Sequence, residues 1–591
     1  MFTTRPEIAG TFGVVASTHW IASSVGMAVL ERGGNAFDAA VAAAFILQVA
    51  EPHLNGPGGD VPIIIHSAKS GTQHVICGQG VAPDAATPEH FATLGLDLIP
   101  GTGLLPAVVP GAFDAWALML RDWGTLELSD VLSYAIGYAR RGIHIVPRIS
   151  AQIETMRPLF ETEWKTSAAV FLPNGKVPQP GTLFARPALA ETWQRLLREA
   201  TGGSREARID AARNAWYRGF VAEAIGQFYR NEVLDVTGRR HRGLLTESDM
   251  ARWAATVEDP VSYAYNGHTV LKAGPWTQGP VLLQQLALLR GFDIAAMDPN
   301  GADFVHTLVE VAKLAFADRE AYYGDPEFVQ VPLNELLSPG YNDERRKLVG
   351  KKASLELRPG KIPGYDPWVD HEAHKRVEIL SREPGAGEPT VARLGVLGAD
   401  TCHIDVIDRD GNMVSATPSG GWLQSSPVVP ELGFCVSTRG QMFWTTPGRP
   451  NSLTPRKRPR TTLTPSMALR DGKPWMAFGT PGGDQQDQWQ ISFLLRMLHH
   501  NMGIQEAIDA PGFHTEHWPS SFWPRAARPG KVVLEGRFDR SVLEDLTKRG
   551  HRAEMGEAWT EGRISGARIE PDGQMFAGAN PRGMQGYAVG R

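Results

Sequence analysis

Gly398-Ala-Asp-Thr401-Cys-His-Ile-Asp-Val-Ile-Asp-Arg-Asp-Gly-Asn-Met-Val-Ser-Ala-Thr-Pro-Ser419 is the stretch that decides how the rest of the chain is read. His403 to Asp408 is rich in β-branched residues, Asp410-Gly411 supplies a tight turn, and Met413 to Thr417 returns as a second strand, which makes a β-hairpin. Thr401 stands where a Pro/Gly-rich region meets the first strand. One peptide cleavage before it would free a residue carrying both a nucleophilic Oγ and its own α-amine as base. Taken alone, the hairpin reads more simply with Thr401 as an ordinary strand residue. Cys402 is a competing nucleophile with His403 beside it. Neighbours on a strand point to opposite faces, so that pair cannot hydrogen bond, and Cys402 reads as a packing residue.

Outward from the hairpin, 591 residues suit several domains or two intimately packed halves. Hydrophobic residues make up 42% and charged residues 21%, enough for a large core and against disorder. A net charge of −5 argues against a nucleic-acid or anionic-membrane partner. Cys77, Cys402 and Cys435 are too few for a disulfide framework and have no zinc spacing. No secretory signal opens the chain, and Ala36 to Ala50, the most apolar run, is too short to span a bilayer, so a cytoplasmic location is expected. No cofactor and no metal is implied.

In chain order, residues 11–50 read as a short strand and two helices, the first beginning at Thr18 or Ser23, the second an Ala-rich buried helix over Ala36 to Val49. The Gly/Pro loop 51–60 leads into the strands Val61 to His66 and Gln73 to Cys77. Without a following Lys-Ser/Thr, its glycines read as a tight turn rather than a phosphate cradle. Residues 104–350 read as mostly helical, with helices at 113–122, 129–141, 186–200, 209–228, 246–255, 280–290, 303–323 and 332–337. Residues 351–400 have linker composition. Two histidine pairs, His371/His374 and His514/His517, read as solvated segments rather than metal sites, and the basic cluster Arg456 to Arg460 as a solvated loop. The strand Trp475 to Gly479 runs through Thr480-Pro481-Gly482-Gly483-Asp484 into a helix near Gln486. Glycine N–H groups beside a helix N-terminus suit an oxyanion, and a plain strand-to-helix turn is the equal alternative. A last hairpin surrounds Asp572-Gly573.

Several of these phrases together resemble the γ-glutamyltranspeptidase family, N-terminal-nucleophile hydrolases made as one chain. The matching residues are Thr401, Cys402, His403 and Asp410-Gly411-Asn412. Glu31 to Ala40, Glu51-Pro52-His53, Lys457-Arg458-Pro459 and Pro481-Gly482-Gly483 match as well. The resemblance implies an α+β fold, a four-layer αββα sandwich of two mainly antiparallel sheets between helical layers. It implies self-cleavage between Asp400 and Thr401 into a large subunit 1–400 and a small subunit 401–591, which form a heterodimer, with further dimerisation left open. Thr401 would be the nucleophile, Ser419 a second hydroxyl bonded to it, and Gly482 and Gly483 the oxyanion donors, worth about 3–4 kcal/mol each. Thr461 and Thr462 replace the family's paired serines near the substrate.

The resemblance departs at the family's γ-glutamyl pocket. Gln79 takes the place of its carboxylate-binding arginine, Gly421 that of an asparagine, and Gln441-Met442 that of the acidic pair that binds the amine. A neutral site cannot hold a zwitterion by paired charges. Trp422, Met442, Phe443 and Trp444 stand there instead, as pocket lining or as plain core, and Arg439 is near enough in sequence to bind a single carboxylate. The expected partner is a small-molecule amide that is not glutathione-like, such as oxamate or an N-acyl compound. A genuine γ-glutamyl enzyme and a non-catalytic binding relative are the alternatives.

Overall fold

The computed structural model describes residues 2–382 and 401–591. Two seven-stranded sheets, antiparallel throughout, lie face to face. The first runs, edge to edge, through Tyr587–Gly590, Gly13–Ser17, Ile404–Asp408, Met413–Ala416, Val61–Ser67, Thr72–Gly78 and Thr256–Glu258. The second runs through Ile8–Gly10, Met575–Ala579, Ser565–Ile569, Lys473–Gly479, Ser466–Arg470, His268–Lys272 and Val261–Tyr265. Val14, Ala16, Ile64, Val75, Leu271, Met467 and Ala567 fill the space between them. Helices Trp20–Glu31, Ala36–Ala50, Ala112–Trp123 and Leu128–Arg141 cover the outer face of the first sheet. Helices Pro280–Leu289, Ala302–Tyr322 and Gln486–His500 cover the second. The fold is the αββα sandwich that the sequence led us to expect.

The hairpin forms as its residues dictate. Ile404 pairs with Ala416 and Ile407 with Met413. Gly411 takes φ +86°, which its missing Cβ permits. The Asp408 carboxylate closes the turn by accepting from the N–H groups of Asp410 and Asn412, and it also accepts from Ala36 at the start of the Ala-rich helix. That helix is buried along all of its residues. Asn35 caps it by accepting from Phe37 and Asp38, while Asp38 accepts from the Asn35 N–H. Asp38 then reaches across to accept from the N–H groups of Thr125 and Leu126, tying two helical segments together.

Several expectations are corrected. The first helix is capped by His19, whose Nδ1 accepts from Ile21; Ser23 lies inside it. Within the mostly helical region 104–350, Thr256–Glu258 and Val261–Tyr265 are strands at the edges of the two sheets and His268–Lys272 is the strand next to the second edge, none of which the sequence reading assigned. The span 209–228 is two helices, Arg205–Tyr217 and Phe220–Phe228, broken at Gly219. The expected helix 246–255 stops at Ala251. The basic cluster is not a solvated loop. Lys457, Arg458 and Arg460 are buried, with Arg458 on Asp325 and Glu258, Arg460 on Glu320, and Lys457 on the carbonyls of Pro450 and Ser452. His514 and His517 are buried rather than solvated, and His514 sits 2.6 Å from Glu561. His371 and His374 are exposed. Among the described residues, no helix is long and apolar enough to cross a membrane.

Replacing Asp38 with Ala leaves the N–H groups of Asn35, Thr125 and Leu126 without their acceptor. These donors are only partly buried, so each costs less than the roughly 1–3 kcal/mol of a fully buried one. Urea unfolding of Asp38→Ala is therefore expected to show a loss of about 1–3 kcal/mol, with Asp38→Asn, which keeps one acceptor, losing less.

Candidate active site

Thr401 stands three residues before the strand Ile404–Asp408 and is buried. The Cys402 N–H donates to the carbonyl of Pro418, which brings the return strand alongside. The Thr401 hydroxyl donates to Ser419 Oγ at 3.1 Å. Alternation then sorts the next side chains. Cys402 points to the helical side, where its thiol donates to Glu51 Oε2 at 3.1 Å. Burial, with Glu51 beside it, pushes that thiol well above its ordinary pKa and makes it a poor nucleophile. His403 points between the sheets. Its Nδ1 lies 2.9 Å from Thr417 Oγ1 and its Nε2 lies 2.9 Å from Asp405, and Asp405 accepts from Ser565 of the second sheet. This buried polar bridge begins two residues after Thr401, and sequence reading gave His403 no role.

Ser419 is fixed by its backbone. It exchanges two hydrogen bonds with Asp60, its N–H to the Asp60 carbonyl at 3.0 Å and the Asp60 N–H to its carbonyl at 2.8 Å. The glycines before Asp60 allow this approach. A Cβ on Gly59 would overlap the Ser419 carbonyl, one on Gly58 the Cys435 carbonyl, and one on Gly56 the Gly421 carbonyl. The Asp60 carboxylate is gripped by Arg439 at 2.7 and 3.0 Å, with both side chains buried. Arg439 thus uses Nε and Nη2 on Asp60, while its Nη1 is buried without a hydrogen-bond partner. Gly421 takes φ +65° packed against the Cys435 carbonyl. Gln79 is buried, donates to the Gly80 carbonyl, and leaves its Oε1 without a partner.

The Gly-Gly turn lies at the same end of the sandwich. Strand Lys473–Gly479 ends with Gly479 packed on the His403 ring, two residues from Thr401. Gly482 takes φ +137° and Gly483 φ +48°, and a Cβ on Gly482 would overlap the Trp489 ring. Both precede the helix Gln486–His500, whose N-terminus favours negative charge. Gln278 joins this turn to the threonine pair, donating from Nε2 to the Gly483 carbonyl and from N–H to that of Thr461. Thr462 Oγ1 is buried without a partner.

Trp422 and Met442 pack together with Phe522. Phe443 belongs to a neighbouring core with Leu453, and Trp444 is buried under the Arg525 guanidinium. Gln441 accepts from the Trp523 N–H and donates to the carbonyls of Gly101 and Thr438. The segment Pro519 to Arg525 thus closes over these residues, and sequence reading missed it entirely. Asp400 lies outside the described residues. Among the described residues, His306, Glu310 and His551 have metal-ligating atoms within 4.8 Å of one another. Glu310 is paired with Lys313, however, and the two rings bond each other at 2.8 Å.

The sequence matches the Gamma-glutamyltranspeptidase family over residues 22–590. It is 31% identical to the Glutathione hydrolase-like YwrD proenzyme of Bacillus subtilis (strain 168) across 99% of each chain. The solved structure of LmbA2991HD is 56% identical and superposes with a TM-score of 0.94, covering all of both chains. That of the cephalosporin acylase from Bacillus halodurans is 27% identical with a TM-score of 0.82, covering 100% of this chain and 98% of that one.

Two outcomes follow from the electrostatics. Arg439→Ala strands the buried Asp60 carboxylate and is expected to lower stability by about 3–5 kcal/mol in denaturant titration, with the paired Asp60→Asn/Arg439→Gln change recovering part of the loss. Burial opposes charge on His514, but Glu561 and Glu516 outweigh it and hold the imidazole up at about 9. This pair's stabilising contribution is complete below the unfolded value near 6.5 and fades as pH rises through 9. The thermal midpoint should fall across that window, and His514→Gln should flatten the slope.

Proposed function

The chain belongs to the gamma-glutamyltranspeptidase family, and from that premise we propose that it is a self-cleaving amidohydrolase whose nucleophile is Thr401. The observation that carries this reading is the 3.1 Å hydrogen bond from Thr401 Oγ1 to Ser419 Oγ, three residues before a core strand and at the same end of the sandwich as the Gly482-Gly483 turn.

In maturation, Thr401 Oγ attacks the carbonyl carbon of residue 400, its proton passing to the departing Thr401 nitrogen. The acyl group moves from nitrogen to oxygen, and water hydrolyses the ester. The products are a chain ending in the residue 400 carboxylate and one beginning with the free Thr401 amine. That amine, with an unperturbed pKa near 8, takes the Oγ proton when Thr401 attacks a substrate amide and delivers it to the leaving nitrogen. Ser419 Oγ orients the nucleophile, and the N–H groups of Gly482 and Gly483 receive the tetrahedral oxyanion. Water then cleaves the acyl-enzyme.

The sheet order supports division into 1–400 and 401–591 with the two parts held together. Strand Ile404–Asp408 lies between Gly13–Ser17 from one side of the cut and Met413–Ala416 from the other, and both sheets mix strands from the two parts. A cut at 400 would leave every ladder in place. The substrate proposed is not γ-glutamyl, since Gln79, Gly421, Gln441 and Met442 present no charges at the family's zwitterion positions, and Gln441 is held by Trp523 and Gly101.

The test is amide hydrolysis followed by amine or ammonia release across N-acyl and small carboxamide substrates, with a γ-glutamyl anilide alongside. Activity on acyl amides, weak action on the anilide, and a Thr401→Ser protein that matures and acts slowly are expected. Efficient anilide cleavage would overturn the substrate reading. Gly482→Ala, which must place a methyl against Trp489 and distort the turn, is expected to lower kcat by about 10²–10³-fold.

A further inference from the structure

Glycine has the freest backbone of any residue, and the turn at Gly482-Gly483 joins two of them at φ +137° and +48°. Its N–H groups hold one direction only if the peptide planes through the turn are tied down. Each carbonyl there has a donor. Pro481 accepts from Thr480 Oγ1 at 2.6 Å, and Gly482 accepts from the Gln485 N–H at 2.8 Å. Those donors belong to the turn and move with it. The Gly483 carbonyl accepts from the Gln486 N–H and, from a distant part of the chain, from Gln278 Nε2 at 3.2 Å.

Gln278 is fully buried in the short connection between the strand His268–Lys272 and the helix Pro280–Leu289. Its N–H donates to the Thr461 carbonyl at 3.0 Å, and the Thr461 N–H donates to the Trp276 carbonyl at 2.9 Å. The residue therefore holds the threonine pair by its backbone and the Gly-Gly turn by its side chain. An amide could offer either of its ends to Gly483, and Arg319 decides which. A guanidinium only donates; Arg319 Nη1 donates to Gln278 Oε1 at 2.7 Å, which leaves Nε2 facing the Gly483 carbonyl. The positive charge polarises the amide and strengthens the bond made by Nε2. The same amide supports the Asp487 carboxylate in the first turn of the helix Gln486–His500. Arg319 is itself buried, paired with Glu320 at 2.8 Å, and its Nη1 also reaches the Asp484 carboxylate. One guanidinium thus grips the turn twice, through Asp484 and through Gln278.

We propose that Gln278, oriented by Arg319, is a positioning residue that fixes the Gly482-Gly483 turn for the tetrahedral intermediate and sets its place relative to Thr461 and Thr462. It acts through the Gly483 carbonyl and not on the substrate. The proposal rests on the oxyanion role given to the two glycines above.

Two changes at residue 278 test it, because replacing Arg319 would also unsettle Glu320 and Asp484. Gln278→Met keeps the length and removes both amide bonds. Gln278→Glu keeps an acceptor for Arg319 and loses the donor to Gly483. Each is compared with wild type on the amide that wild type hydrolyses best in the screen above, and by hydrogen exchange of peptides covering 479–490. In both variants kcat is expected to fall at least about tenfold and up to about 100-fold, with KM little changed. Exchange should quicken in 479–490 while the strand Ile404–Asp408 stays protected. Adding Gln278→Met to Gly482→Ala, whose turn is already distorted, should lower kcat little further. A glutamate variant with wild-type kcat overturns the proposal, as does a loss confined to KM, a double variant whose losses multiply, or unchanged exchange at 479–490. If the methionine variant does not fold, the glutamate variant carries the test alone. If wild type hydrolyses no amide, the amidohydrolase reading fails by itself. Exchange then decides: quickened exchange at the turn sustains Gln278 as its tie, and unchanged exchange sinks it.

Discussion

The two backbone hydrogen bonds between Ser419 and Asp60 join parts of the chain more than 350 residues apart, and the site is built on them. They fix the hydroxyl to which Thr401 donates. They require glycine at positions 56, 58 and 59, because side chains there would overlap the carbonyls of Gly421, Cys435 and Ser419. They also draw the Asp60 carboxylate into the interior, where only a bidentate partner makes its charge tolerable. Arg439 is that partner. Glycine spacing, a buried ion pair and the nucleophile's orientation are one constraint seen from three sides.

The period-two alternation of the strand divides the chemistry. Cys402 faces Glu51 and the helices, while His403 and Asp405 face the second sheet, His403 bonding Thr417 at the end of its neighbouring strand and Asp405 bonding across to Ser565. This polar bridge, with Ser415 donating across to the Phe478 carbonyl, sets the register of one sheet on the other, since a slip by one residue would turn His403 and Asp405 to the opposite face, away from these partners. The Gly479 end of the neighbouring strand rests on the same imidazole, so the turn carrying Gly482 and Gly483 is positioned by the element that positions Thr401.

Much of this was legible in the sequence, and the limits have physical causes. The hairpin, the Ala-rich helix and the Gly-Gly turn announce themselves through local signals: β-branched alternation, an Asn35 cap, glycines that must take positive φ. What depends on distant partners did not. Nothing near residue 439 says that Asp60 waits for it, and nothing in Lys457 to Arg460 reveals Asp325 or Glu320, so a buried charge network read as a solvated loop. His514 looked solvated because Glu561 is 47 residues away. The strands at 256–272 were left unassigned between the helices, since their partners lie in other parts of the chain. The segment 519–525 has no periodicity, and its role comes wholly from what it touches.

The proposed chemistry requires Thr401 to become an N-terminus. Intact mass and N-terminal sequencing of the purified protein, beside Thr401→Ala, test that most directly. The account predicts two fragments, about two thirds and one third of the residues from a cut between 400 and 401, with the smaller beginning at Thr401, and a single uncut chain in the variant. An uncut wild-type chain, or a small fragment beginning elsewhere, would contradict it.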